Sequence, residues 1–166
     1  MQGNISDSWA CYVSIEIEVP DGENELVLVQ DNDKPPPRMW KMPGGCKDVK
    51  KGDITPEDTA RREALEEIGP IPLVLVGTIY SKSVPSNPPH AWHAFRTRPI
   101  SIKEAELLQK GVEIENMERF TITEVEIMVA YCLSSPSSAK MPERHWVAMD
   151  EYLQARRKEQ EEEQPS

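Results

Sequence analysis

Apolar and polar positions alternate with a period of two near the start of the chain. Ile15, Ile17 and Val19 alternate with Glu16 and Glu18 inside the segment Ala10 to Val19, and a second β-rich run covers Glu25 to Gln30. The pattern predicts two strands, the first with one solvated face, joined at the turn signal Pro20-Asp21-Gly22. Asn32 to Pro37 reads as a stiff loop. Trp40-Lys41-Met42-Pro43-Gly44-Gly45 predicts a short strand ending in a diglycine turn, whose backbone can take positive φ and come close to a ligand. Leu73 to Ile79 is a continuous apolar run suited to a buried strand, and Ala91 to Thr97 suits another. Between them the proline-rich stretch Ser81 to Pro89 predicts a constrained surface loop. Lys103 to Lys110 fits a short helix stopped by Gly111, and Phe120 to Val129 fits strand or helix. Glu143 to Glu163 predicts a C-terminal helix whose charged end, from Arg156, frays. This order of elements fits an α/β class chain: an α/β/α sandwich with a central mixed β-sheet between helices.

One helix is specified locally at both ends. Thr55 is a good N-cap, Pro56 fits the first helical position, and Asp58 places its charge near the positive end of the dipole. Gly69 can take the left-handed C′ conformation and Pro70 bars continuation. The helix should run from Pro56 to Ile68, with Ala60, Ala64, Leu65 and Ile68 as its apolar stripe. Glu63, Glu66 and Glu67 stand at i, i+3 and i+4, so their carboxylates share another face and repel. A divalent cation would relieve that repulsion. Arg62 lies one turn before Glu66 and can hold it in one orientation. A solvated charged face is the bland alternative for Arg61 to Glu67. The diglycine changes the balance: a carbonyl from such a turn, added to the carboxylates, makes an all-oxygen shell of the kind that Mg²⁺ or Mn²⁺ prefers.

The chain of 166 residues is one domain's worth, read as a single domain over 1–155 with a charged tail over 156–166. A net charge of −10 argues against a broad nucleic-acid surface and requires metal to screen a phosphate substrate locally. Cys11, Cys46 and Cys132 are odd in number and widely spaced, which points to reduced thiols in a cytoplasmic compartment. The segment Met1 to Trp9 lacks a basic stretch followed by an apolar run, and no stretch is long enough to span a membrane. A homodimer is compatible with these readings. His90 and His93 would point to opposite faces of a strand and make a poor metal pair, and His145 is alone. Trp40, Tyr80, Trp92 and Phe95 could stack a nucleobase, with core packing as the commoner use of such rings. Tyr80 and Trp92 are the candidates for substrate contact. No G-x-S-x-G, Walker loop or G-x-G-x-x-G occurs, so serine hydrolase, P-loop and Rossmann readings lack support.

Gly44-Gly45, Gly52-Asp53 and the run Arg62-Glu63-Ala64-Leu65-Glu66-Glu67-Ile68-Gly69 together resemble the signature of the Nudix hydrolases. That family's pattern is Gly, five residues, Glu, seven residues, Arg-Glu, an aliphatic residue, any residue, Glu-Glu, any residue, Gly. The second half matches, with Ala64 at the aliphatic place. Between Gly45 and Arg62 the chain is three residues longer than the pattern, and no glutamate stands at the regular upstream position. Asp53 is the substitute there and Glu57 the second choice. The expansion carries Lys47, Lys50 and Lys51, read as solvated loop charges or as contacts for substrate phosphate. The resemblance implies a Nudix-type sandwich and a Mg²⁺- or Mn²⁺-dependent hydrolase that cleaves the diphosphate linkage of a nucleoside diphosphate joined to another group. Glu63, Glu66, Glu67 and the Gly44 carbonyl would hold metal, and Glu63, Glu66 and Arg62 would serve catalysis. The general base by resemblance is Glu63 or Glu66, or a downstream carboxylate among Glu113, Glu115 and Glu118. Pro85, fourteen residues after Ile71, leans the substrate toward ADP-ribose-like compounds or nucleotide sugars. The alternative is a nucleotide-binding sensor that keeps the fold without turnover.

Overall fold

Strand β1 (Ser8–Ser14) puts Trp9, Cys11 and Val13 on one face and Ala10 and Tyr12 on the other, and this alternation builds two hydrophobic cores rather than one. The computed structural model describes residues 8–85 and 89–164. After β1 come β2 (Glu16–Glu18), β3 (Glu25–Asp31), β4 (Gly44–Cys46), α1 (Pro56–Ile68), β5 (Leu75–Val84), β6 (His90–Thr97), β7 (Ile100–Ser101), β8 (Ile114–Thr121), α2 (Ile122–Ser134) and α3 (Glu143–Glu163). Among the described residues the strands form two four-stranded mixed sheets. One has the order β4-β1-β6-β5, with β1 parallel to β6, and the other β7-β2-β3-β8, with β2 parallel to β7. The segment predicted as one strand over Ala10 to Val19 passes from the first sheet to the second at Ile15.

Helix α1 covers one side. Ala60, Ala64 and Ile68 join Cys11, Val13, Ile15, Val27, Val29 and Phe95 in the first core. Helices α2 and α3 cover the other, where Val125, Val129, Met149 and Tyr152 meet Ala10, Leu28, Met42 and Trp92. The layers are therefore α/β/α, as expected, with the β-layer split between two mixed sheets. Removing these apolar surfaces from water is the main stabilising term for such layers.

Several segments depart from the periodicity reading. Glu16, expected on a solvated face, is buried: its carboxylate accepts bonds from Asn24 Nδ2 (2.6 Å), Arg156 Nε (2.6 Å) and the Tyr152 hydroxyl. Arg156 is thus no frayed end; α3 continues helically to Glu163, and Glu159 pairs with Arg96. The run Leu73 to Ile79 is not a buried strand. It enters β5, an edge strand with Val76 58% exposed, and β5 extends through Ser81 to Val84 where a loop was expected. The rest of that proline-rich loop, at 86–88, lies outside the described residues, as do 1–7 of the N-terminal segment and 165–166 of the tail. Leu65, assigned to the apolar stripe of α1, is exposed. The short helix near Lys103 is a single 3-10 turn over Glu104–Leu107, and the ambiguous run from Phe120 is the end of β8 followed by α2. Among the described residues no helix is long and apolar enough to cross a membrane.

Candidate metal and phosphate site

The two ends of α1 place its carboxylates against β4. At the start, Thr55 Oγ1 accepts the Asp58 amide (3.2 Å) while Asp58 Oδ2 accepts the Thr55 amide (2.9 Å), a reciprocal capping box. At the end, Gly69 takes a positive φ of 96° but an extended ψ of −177° rather than the left-handed helical conformation expected, and the following chain returns over the helix: the amide of Gln109 donates to the Ile68 carbonyl (2.8 Å) and that of Gly111 to Glu67 O (2.9 Å). This return brings Glu113 into the same cleft as Glu63 and Glu67.

The diglycine is not a turn but strand β4 itself, with Gly44 paired to Tyr12 and Gly45 to Cys11. Close approach explains both glycines. A Cβ on Gly44, which has φ 151°, would lie 2.1 Å from the Cys11 carbonyl oxygen, and one on Gly45 would lie 2.6 Å from Glu63 Cδ. The Gly44 amide donates to Glu67 Oε1 at 2.6 Å. Glu67 is buried, and burial pushes its carboxyl up to about 7 against the pull of the Lys41 ammonium and the Gly44 amide. Burial also raises the Glu63 carboxyl, with Arg62 opposing.

The three carboxylates do not converge as the helical spacing alone suggested. Two cations divide them. Arg62 Nη1 donates to Glu63 Oε1 (3.0 Å) and Glu66 Oε2 (3.2 Å), and Lys51 also reaches Glu66 (3.2 Å). Glu67 faces Lys41 instead, and among the described residues no three acidic, His or Cys side chains stand together as a finished metal cage. The Lys41 ammonium lies 3.2 Å from the Gly44 carbonyl oxygen, 3.2 Å from Asp31 Oδ2 and 3.6 Å from Glu67 Oε2. A cation therefore already sits among the Gly44 carbonyl and the Glu67 carboxylate. All these donors are hard oxygens, and the set suits Mg²⁺ or Mn²⁺ chemically.

Asp53 organises the arginine. Arg62 Nε and Nη2 donate to its two oxygens at 2.9 and 2.8 Å, Thr59 Oγ1 and the Asp48 amide donate to Oδ2, and Arg62 Nη2 also reaches the Cys46 carbonyl oxygen. The Arg62 bonds hold the Asp53 carboxyl far below the usual carboxylate range. The principal partner of Arg62 is thus Asp53 rather than Glu66 alone. The expansion forms a 3-10 turn over Val49–Lys51, capped by Asp48. Lys51 turns to Glu66 and Lys47 to the ring of Trp9, 4.0 Å from its centroid. Of the other carboxylates, Glu113 lines the cleft, while Glu57, Glu115 and Glu118 do not line it.

Tyr80 and Trp92 line a second cavity of about 690 Å³ that shares Tyr12, Asp31 and Lys41 with the acidic cleft. Tyr12 stacks on Trp92 at 4.9 Å, and His145 meets both rings edge-on. His145 Nδ1 accepts the Met42 amide (3.1 Å), and burial lowers its pKa to about 3, so the ring is neutral. The sequence does not mark Lys41, Asp31 or Tyr12 for the site, and His145, expected to stand alone, joins it. The period-two alternation along β1 marks Tyr12 as facing away from Cys11 and Val13; Asp31 and His145 have no local signal, because residues distant in sequence bring them here.

Comparison with known proteins fits this geometry. The NUDIX domain family model matches residues 13–164. No curated protein sequence matches. The fold is similar to that of the NUDIX domain of Shewanella oneidensis NrtR, solved with ADP ribose (TM-score 0.63, 13% identity, 89% of this chain and 86% of that one). It is also similar to a C. elegans Ap4A hydrolase (0.59, 17%, 89% and 98%) and to a MutT protein from Methanosarcina mazei Go1 (0.61, 15%, 95% and 96%). With the family model spanning nearly the whole chain, from β1 to the end of α3, this protein belongs to the NUDIX domain family.

Proposed function

We propose that this chain hydrolyses the diphosphate linkage of a nucleoside diphosphate joined to a second group, using Mg²⁺ or Mn²⁺ held by the Gly44 carbonyl, Glu63, Glu66 and Glu67. Membership of the family makes it a Nudix pyrophosphohydrolase in class; the metal, its ligands and the substrate are the proposal. The observation that carries it is the position of the Lys41 ammonium, bonded to the Gly44 carbonyl and beside Glu67. When bound, the divalent cation neutralises phosphate oxygens and acidifies the attacking water. The chain's own residues supply orientation and proton acceptance. The Gly44 amide fixes Glu67, and Arg62, itself clamped by Asp53, fixes Glu63 and Glu66. Asp53 is a poor proton acceptor, because both its oxygens are engaged and its pKa is lowered. Glu113, which lines the cleft and is not assigned to the metal, and Glu63 beside it are the better placed bases.

The aromatic cavity beside the cleft suits a nucleobase, with the half-buried Tyr80 in its wall; Trp92, expected to contact substrate, is buried in the core and stacked on Tyr12, and backs that wall. ADP-ribose-like compounds or nucleotide sugars are the favoured substrates, supported by Pro85 and by the ADP ribose bound in the Shewanella NrtR domain. A cytoplasmic setting agrees with three free thiols, and the net charge of −10 argues against a broad nucleic-acid surface. A second reading, nucleotide binding without turnover, draws on the same Lys41, since an ammonium could stand permanently where a metal would. One assay separates the two. ADP-ribose, nucleotide sugars, dinucleoside polyphosphates, coenzyme A, oxidised nucleoside triphosphates and capped RNA are incubated with Mg²⁺, Mn²⁺ or EDTA, and products are analysed. Metal-dependent release of phosphate-containing products supports hydrolysis, whereas binding with no product from any compound supports the sensor.

A further inference from the structure

The aromatic cavity carries a charge that the rest of the molecule does not. Lys34, Arg38, Lys41, Lys82 and Arg144 line it against only two carboxylates, Asp31 and Glu143, in a chain whose net charge is −10. Lys41 is committed to Asp31 and Glu67 in the cleft next door, and Lys34 reaches only as far as Asp33, at 4.0 Å. The other three are not balanced at all: among the described residues Arg38, Lys82 and Arg144 make no ion pair. Arg38 goes further. Its Nε is buried and finds no acceptor among the described residues, although the backbone beside it is engaged, the Arg38 carbonyl accepting Gln30 Nε2 at 2.9 Å. An unpaired buried guanidinium donor is costly unless a ligand supplies the acceptor.

These cations come from three separate parts of the fold. Arg38 follows the stiff proline loop after β3, Lys82 lies on the edge strand β5, and Arg144 opens α3. They converge on a cavity whose wall includes Tyr12, Trp92 and the neutral ring of His145, and which opens into the acidic cleft through Tyr12, Asp31 and Lys41. A neutral sugar would leave all three charges and the Arg38 donor unanswered. A phosphate group answers them, because it offers several acceptor oxygens and up to two negative charges.

We propose that this cavity binds a further phosphate of the substrate, one that is not part of the diphosphate linkage being cut. The proposal rests on the reading of the cleft as the place of hydrolysis, and within that reading it shifts the preference from plain ADP-ribose and nucleotide sugars to nucleotides that carry at least one additional phosphate, on the ribose or further along a polyphosphate chain. Arg38 is its main donor, and Lys82 and Arg144 complete the charge.

Binding without turnover tests the cavity separately from hydrolysis. Isothermal titration in EDTA compares AMP and GMP with adenosine and guanosine 3′,5′-bisphosphates and with the corresponding 5′-tetraphosphates, for the wild type and for Arg38→Gln and Lys82→Ala. Lys82 is exposed on an edge strand, so its variant keeps the fold even if Arg38→Gln does not. At least one multiply phosphorylated ligand should bind about tenfold more tightly than its monophosphate, the equivalent of one charge-assisted contact, and Lys82→Ala should shrink that ratio several-fold. Preference for a bisphosphate places the extra phosphate on the ribose, and preference for a tetraphosphate places it along the chain. Equal binding of mono- and multiphosphorylated ligands, absence of binding by all of them, or a ratio unaltered in Lys82→Ala overturns the proposal. If the preference holds while no compound is hydrolysed with metal, the cavity stands and the hydrolase reading falls.

Discussion

Arg62 donates to Asp53, Glu63, Glu66 and the Cys46 carbonyl at once, and the geometry explains why lysine cannot replace it. Two parallel bonds join it to Asp53, and the opposite edge of the guanidinium holds Glu63 and Glu66. A lysine carries charge at one point and cannot make both contacts. Arg62→Lys should therefore lower kcat/KM by about 10–100-fold, the range seen when groups that orient metal ligands are removed. Unchanged turnover would reduce Arg62 to a surface charge. Asp53 predicts a pH effect. Its folded pKa lies below the ordinary 3.8, so its stabilisation is complete above that value and is lost as pH falls below it toward the folded value. Acid unfolding of the wild type should steepen below about pH 4. Asp53→Asn should be less stable at pH 7 and show a flatter acid limb in thermal melts; parallel pH profiles would contradict this.

At the level of elements, α1 was legible because its signals are local. The Thr55 and Asp58 capping box, Pro56 and Gly69 all act within one turn of the ends they define, and the helix runs over the residues they predict. Strands were less legible, since their partners lie far away in sequence. Leu73 to Ile79 looks buried by composition but feeds an edge strand, and Glu16 looks solvated by alternation but is buried by α3. The diglycine shows both sides of this. Its glycines are readable as a site of close approach, but what approaches, Cys11 on one side and Glu63 on the other, is not. Gly45→Ala should displace Glu63, lowering activity more than stability; full activity would mean that Glu63 need not touch β4. Arg156 tests the helix end that fraying was expected to release. Arg156→Ala leaves a buried Glu16 carboxylate with reduced compensation and should cost on the order of 3 kcal/mol in denaturant unfolding. Arg157→Ala, whose partner Glu126 is 3.7 Å away at the surface, should cost under about 0.5 kcal/mol. Equal losses for the two variants would show that the Glu16 network does not tie α3 down.

For the whole molecule, the α/β/α layering could be read from the order of elements, whereas the cleft could not be completed from the sequence. The motif glutamates sit on one helix, but the cation beside Glu67 belongs to Lys41 before β4, its counter-charge Asp31 ends β3, and the neighbouring cavity draws on β1, β5, β6 and α3. Only tertiary packing sets these together. The central claim is that Glu67, held by the Gly44 amide, belongs to a metal-dependent hydrolytic site. Glu67→Gln keeps an oxygen to accept that amide and removes the buried charge, so the metal-free protein should be at least as stable as the wild type. The deciding measurement is turnover of this variant at saturating Mn²⁺ on the best substrate of the panel. Turnover should fall by at least about 100-fold with the fold intact, since losing a ligand should exceed the loss from a group that merely orients one. Turnover within about twofold of the wild type, below the smallest of those losses, would contradict it.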